Sequence, residues 1–208
     1  CPFGHSCDGS SVRTQCADGH YAPAASSSCK KCGDDSQYSQ EGAKECSVCP
    51  AGSHTSGGDA DTRDTCELCP PGYACDGSSK QTRCTPGFFA DGGESQCHEC
   101  GHDTQHSKYA AEQCSTCAVG SYTSGGTQLT RTTCTSCPAG YKCDGTSTQV
   151  ICGGGYYSPG GDDKCHECGS NSRYSVAGAA ECSICGPGHY TEGGTAQTRS
   201  SDRKTCVG

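Results

Sequence analysis

The sequence predicts a small disulfide-rich fold: an elongated tandem-repeat rod without a conventional hydrophobic core. Three observations predict it. Cysteine makes up 24 of the 208 residues. Leu, Ile, Val and Phe together number 13, about 6 % of the chain, and Met and Trp are absent. The cysteines also recur on a fixed pitch.

The first two observations act together. A chain with less than about 20 % Leu, Ile, Val and Phe buries too little apolar surface to offset its ordering entropy. Without cross-links such a composition reads as disordered. With them it belongs to the scaffolds in which covalent bridges replace the core.

The pitch is 68 residues. Cys1, Cys7, Cys16, Cys29, Cys32, Cys46, Cys49 and Cys66 reappear as Cys69, Cys75, Cys84, Cys97, Cys100, Cys114, Cys117 and Cys134. They return again as Cys137, Cys143, Cys152, Cys165, Cys168, Cys182 and Cys185, and only the last member slips, to Cys206, through a four-residue insertion near 199–204. This defines three cysteine-rich repeats, 1–68, 69–136 and 137–208. Other residues keep the same register. Asp8-Gly9, Asp76-Gly77 and Asp144-Gly145 follow each second cysteine. Gly57-Gly58, Gly125-Gly126 and Gly193-Gly194 precede Thr62-Arg63, Thr130-Arg131 and Thr198-Arg199. Repeats join through Cys-x-x-Cys, and another copy placed after Gly208 would restore that motif, so the chain is expected to continue head-to-tail. Cys1 follows no Met and no signal-like segment, so either a leader has been removed or the chain begins inside a longer polypeptide.

Two chemistries compete for the cysteines. Cys29, Cys32, Cys46 and Cys49 have the spacing of a zinc ribbon. Against zinc, the other four cysteines of the repeat form no matching tetrad. The eight His also fail to recur at ligand spacing: His98 and His166 stand inside Cys-x-x-Cys, but Lys31 occupies the corresponding motif in the first repeat. Disulfides are the preferred reading, without metal or cofactor. Eight cysteines allow 105 connectivities, but one simple rule uses every cysteine. In each Cys-x-x-Cys the first Cys closes one loop and the second opens the next, giving Cys1–Cys7, Cys16–Cys29, Cys32–Cys46, Cys49–Cys66 and so on down the chain. A loop of about 15 residues contributes about 3 kcal/mol in the chain-entropy model.

The segment from Cys49-Pro50-Ala51-Gly52 to Cys69-Pro70-Pro71-Gly72-Tyr73 resembles the ephrin-receptor-like cysteine-rich repeats, of the growth-factor-receptor type. The tandem form with Cys137-Pro138-Ala139-Gly140-Tyr141 running to Asp144-Gly145 is most similar to cysteine-rich surface coat proteins of protists, such as ciliate immobilisation antigens. Ala118 in place of Pro50 and the insertion before Cys206 are departures confined to loops. The resemblance implies an extracellular or cell-surface location and a ladder of short β-hairpins and turns, each repeat contacting mainly its neighbours. Asp-Gly and Gly-Gly suit the hairpin turns. No stretch carries helical apolar spacing, so little or no helix is expected.

The remaining residues are weighed against plainer roles. Ser, His and Asp on short loops over a thin scaffold do not make an active site, so no enzyme is expected. Asp34-Asp35, Asp59, Asp61 and Asp162-Asp163 could offer oxygens to calcium, but they do not recur in register and read as turn residues. Recurring rings could bind a sugar or a partner, and more simply cover disulfides and joints. Tyr73, Tyr122, Tyr141 and Tyr190 are therefore inter-repeat contact candidates. Arg63, Arg131 and Arg199 are expected to reach a carboxylate or carbonyl of the neighbouring repeat. The net charge of −8 and the absence of a basic cluster argue against nucleic acid, and no apolar run is long enough for a membrane span. The lone Asn171 stands outside a sequon, while abundant Ser and Thr leave O-glycosylation open. The reading is a structural segment of a surface coat or filament whose partner is itself. The alternative is a receptor or adhesion ectodomain that binds a protein ligand.

Overall fold

The computed structural model describes residues 1–59, 61–127, 129–193 and 203–208. Among them there is no helix, and therefore none long and apolar enough to cross a membrane. Every strand belongs to a two-stranded antiparallel sheet, and there are twelve such hairpins, four per repeat. In the first repeat His5–Ser6 pairs Thr14–Gln15, His20–Tyr21 pairs Lys30–Lys31, Gln37–Tyr38 pairs Ser47–Val48, and Ser53–Ser56 pairs Thr65–Leu68.

Most strands are only two residues long, and in two hairpins of each repeat the return strand is the pair of residues inside Cys-x-x-Cys. The return strand Lys30–Lys31 lies between Cys29, which bonds to Cys16 behind it, and Cys32, which bonds ahead to Cys46. An isolated two-stranded hairpin is marginal in water; in three hairpins of each repeat a bridge ties the two arms, while Cys1–Cys7, Cys69–Cys75 and Cys137–Cys143 each close the turn that leads into a first strand. The twelve bridges join consecutive cysteines throughout, from Cys1–Cys7 to Cys185–Cys206, and no cysteine is free.

A four-residue turn opens most hairpins. In Pro50-Ala51-Gly52-Ser53 the Ser53 amide donates to the Pro50 carbonyl, and Gly52 at the third position has φ +87°, a conformation a side chain resists. The Gly52 amide then donates to the Cys75 carbonyl of the next hairpin. A Cβ at this position would run into the Gly93 carbonyl oxygen. Gly120, at φ +80°, repeats the arrangement against Cys143 and Gly161. The turn glycine thus starts one hairpin and seats it on another.

What is buried matches the composition. The buried apolar side chains are twelve cysteines with Ala22, Ala74 and Ala90. Both Leu and both Ile lie outside this set, with Leu68 76 % and Ile184 68 % exposed. Disulfide sulfur is the core.

The chain divides into two compact bodies: Cys1–Glu99 with Tyr109–Gln113, and Cys100–Lys108 with Cys114–Gly208. Each contains six hairpins. The division falls inside the second repeat, so the 68-residue period counts hairpins and does not delimit compact bodies. The joint between the first and second repeats lies in the first body, and that between the second and third in the second.

Candidate functional site

The conspicuous polar constellation is a clasp at each joint between repeats. In the first body, Arg63 is buried, 8 % exposed. Its guanidinium donates to Asp35 Oδ1 and, at 3.3 Å, to the Asp35 carbonyl. The Thr55 hydroxyl donates to that same carbonyl at 2.9 Å. The other carboxylate oxygen, Asp35 Oδ2, accepts from the Ser79 amide and hydroxyl at 3.3 and 3.0 Å. Ser79 belongs to the second repeat, so one carboxylate joins two repeats.

The second body reproduces the clasp one period later. Arg131, 5 % exposed, donates to Asp103 Oδ1 and, at 2.7 Å, to the Asp103 carbonyl. Thr123 donates to that carbonyl at 3.0 Å. Asp103 Oδ2 accepts from the Ser147 amide and hydroxyl, both at 3.3 Å. Partial burial pushes the Asp103 carboxyl up, but the hydrogen bond from Arg131 and those from Ser147, with the guanidinium charge, outweigh it and hold the group below its ordinary value.

Backbone bonds and a second turn complete each joint. Gly77 donates to the Ser53 carbonyl and Thr55 to the Ser78 carbonyl, and Gly145 and Thr123 do the same to Ser121 and Thr146. Gly77 and Gly145 belong to the Asp-Gly turns, at φ +97° and +94°. In those turns the Asp76 carboxylate accepts from Ser78, and Asp144 from Thr146. Those bonds, like that of Ser10 to Asp8, lower the three carboxyls. The Asp-Gly recurrence therefore shapes a turn and places it against the preceding repeat.

The expectation for the arginines needs two changes. Arg63 and Arg131 bond to a carboxylate within their own repeat, and that carboxylate makes the contact to the neighbour. In the third repeat Arg199 lies outside the described residues, as do Gly194 and Thr198. Arg203 holds the equivalent position, three residues before Cys206 as Arg63 and Arg131 are before Cys66 and Cys134. The cause is the insertion: the return strand carries its arginine in register with its cysteine, and the extra residues lie ahead of both. Arg203, 6 % exposed, donates to the Ser170 carbonyl at 2.5 Å and to Asn171 Oδ1. Asn171 is the only Asn of the chain, and it stands where Asp35 and Asp103 stand in the other repeats.

Sequence reasoning missed the partners. Asp35 reads from the sequence as a turn residue, with calcium as the alternative, and Asp103, Ser79 and Ser147 carry no local motif. The signal was available in the same 68-residue comparison: Asp35, Asp103 and Asn171 form one column, and Ser11, Ser79 and Ser147 another.

The tyrosine candidates divide. Tyr73, Tyr122 and Tyr141 are half-buried in hairpin strands, cross-strand from Arg83, Thr135 and Ile151. Tyr190 is 60 % exposed, cross-strand from Val207. The ring contacts lie elsewhere: His98 tilts onto Phe89 at 5.8 Å, His166 onto Tyr157 at 5.5 Å, and Arg83 sits over the Tyr109 ring at 4.7 Å.

The other chemistries are taken up by local bonds. The zinc-ribbon tetrad is divided, since Cys29, Cys32, Cys46 and Cys49 bond to Cys16, Cys46, Cys32 and Cys66. Asp59 accepts from the Asp61 amide and the Thr62 hydroxyl, and Asp61 pairs with Lys31 at 2.7 Å. Ser158, Asp162 and His166 come together, but Ser158 and His166 both bond to the carboxylate, each at 3.2 Å. With the acid between them, the imidazole is not placed to take the serine proton. On the third repeat Lys142, Val150, Ile151, Tyr156 and Lys204 line an open groove of about 440 Å³. In the second repeat His106 Nδ1 lies 3.5 Å from Cys134 Sγ and 3.7 Å from Cys117 Sγ. Burial, aided by Lys108, lowers its pKa.

No protein-family model matches the chain, and no curated protein matches it. A disulfide-rich module of repeated hairpins suits extracellular structural or ectodomain work.

Proposed function

We propose that this chain is an extracellular structural protein, a disulfide-laddered repeat segment of a surface coat or filament, of the kind its motifs resemble. The observation that carries the reading is the clasp. Two of the few arginines, Arg63 and Arg131, are buried in it, and in each of the two joints one carboxylate bonds both repeats. Side chains that a ligand-binding surface would present are used to fasten one repeat to the next. The mechanism is endurance: short cross-linked loops leave a protease little slack to bind, and no single opening releases the rest. The chain acts on no substrate, and its partner is another copy or a continuation of the same repeat. Its Ser and Thr residues are acceptors for O-glycans.

Electron microscopy of the native material tests this. Filaments or a layered coat built on this repeat support it; monodisperse particles that capture a soluble protein overturn it. The second outcome is the reading of a receptor or adhesion ectodomain, which the Lys142–Lys204 groove favours because it combines apolar and cationic side chains on one repeat.

A further inference from the structure

We propose that His106, Cys117 and Cys134 form a redox-gated metal site, closed while the two cysteines are bonded and available to a zinc-like divalent cation once they are reduced. The three ligand atoms lie within 4.8 Å of one another. With Zn–S near 2.3 Å and Zn–N near 2.0 Å, a tetrahedral site separates sulfur from nitrogen by about 3.5 Å and sulfur from sulfur by about 3.8 Å. His106 Nδ1 already stands 3.5 and 3.7 Å from the two sulfurs. Only the sulfurs need to part.

The site is particular to one repeat. Tyr38 and Tyr174 occupy the position of His106 in the first and third repeats, beside Cys49–Cys66 and Cys185–Cys206. Those pairs have no nitrogen ligand there and serve as internal controls. Cys117 is buried, while His106 and Cys134 are half-buried, so the set has a protein wall and a solvent side. Three protein ligands leave a fourth position for water.

The chemistry balances. Two small-molecule thiols reduce the bridge by exchange, yielding the two protein thiols and one small-molecule disulfide. The cation then binds both sulfurs and the imidazole, releasing two protons. Two thiolates neutralise the divalent charge, so the cation adds no net positive charge beside the Lys108 ammonium. The metal would join the same two sulfurs that the disulfide joined, so the 117–134 loop would stay closed in either state.

The test uses the intact oxidised chain. It is treated with limiting water-soluble trialkylphosphine, which takes up the oxygen of water as it reduces each bridge, with and without Zn²⁺. Free thiols are then alkylated and mapped by mass spectrometry. Zn²⁺ should suppress alkylation of Cys117 and Cys134, because a thiolate held by metal is not free to act as the nucleophile, and leave Cys49, Cys66, Cys185 and Cys206 unchanged. Co²⁺ should add one equivalent of a thiolate-to-cobalt absorption band. His106→Tyr, which copies the other repeats, and His106→Gln should each abolish both effects while retaining all twelve bridges when oxidised. Equal protection of the three equivalent pairs overturns the proposal. So does metal binding that survives both substitutions, or failure of the Cys117–Cys134 bridge to open before the hairpins are lost.

Discussion

Asp103 bonds Arg131 through one carboxylate oxygen and Ser147 through the other, so a single side chain closes its own repeat and holds the next. Replacing it leaves a buried guanidinium without its anion. Removing one partner of a fully buried pair costs roughly 3–5 kcal/mol. Because the Asp103 side chain is 39 % exposed, Asp103→Ala should cost about 2 kcal/mol at this joint. Hydrogen exchange of the Thr123 and Gly145 amides, which bridge the same joint, should quicken accordingly. Unchanged protection would remove Asp103 from the clasp.

The third repeat offers the reverse experiment. Asn171→Asp should give Arg203 the charged partner that Arg63 and Arg131 already have. Adding the opposite charge to a bond that already carries the guanidinium contributes up to about 1 kcal/mol, so the Ser175 amide, which donates to the Arg203 carbonyl, should exchange up to several-fold more slowly. Faster exchange would show that the amide is the better partner there.

Acid should loosen the joint between the second and third repeats. The folded Asp103 carboxyl titrates below its ordinary value, so its contribution is fully present above the unfolded value of about 3.9 and is lost as pH falls through the lower folded one. Protection of Thr123 and Gly145, corrected for intrinsic exchange, should fall below pH about 4. In Asp103→Asn that dependence should vanish.

The turn glycines admit no side chain. Gly52→Ala and Gly120→Ala place a Cβ at positive φ and against the carbonyl oxygens of Gly93 and Gly161. Each should cost at least 2 kcal/mol, from the left-handed conformation and the displaced hairpin together. Gly33→Ala, with open space around it, should stay within about 0.5 kcal/mol. Denaturant unfolding with the disulfides intact would separate them, and equal effects would refute the seating role.

Two residues carry strain that the other repeats avoid. Ala25, at φ +60°, stands where Gly93 and Gly161 stand, and Ala110, at φ +56°, where Gly42 and Gly178 stand. Ala25→Gly and Ala110→Gly should each stabilise the chain by about 0.5–1 kcal/mol, the left-handed cost relieved less the entropy that glycine adds to the unfolded state. A lower unfolding midpoint in either variant would contradict this.

Much of the fold was legible because its determinants are local. Cys-x-x-Cys places a return strand between two bridges, as at Lys30–Lys31, and Cys-Pro-x-Gly calls for a turn that only glycine completes well. Thirteen strongly apolar residues could make no core, and Leu68 and Ile184 are indeed exposed. The clasp was half legible. The arginines stood out as scarce cations in register, but Asp35 lies 28 residues from Arg63 and 44 from Ser79, and no local pattern joins them.

The sequence by itself determined the period, the cross-linked and coreless class, and where each hairpin begins and returns, because these follow from covalent spacing and backbone sterics over a few residues. Tertiary structure alone decided that Arg63 and Arg131 turn to acids of their own repeats, that Arg203 takes the third place, and that His106 lies against a disulfide. Those are contacts between segments far apart in sequence, brought together by the stacking of one hairpin on another.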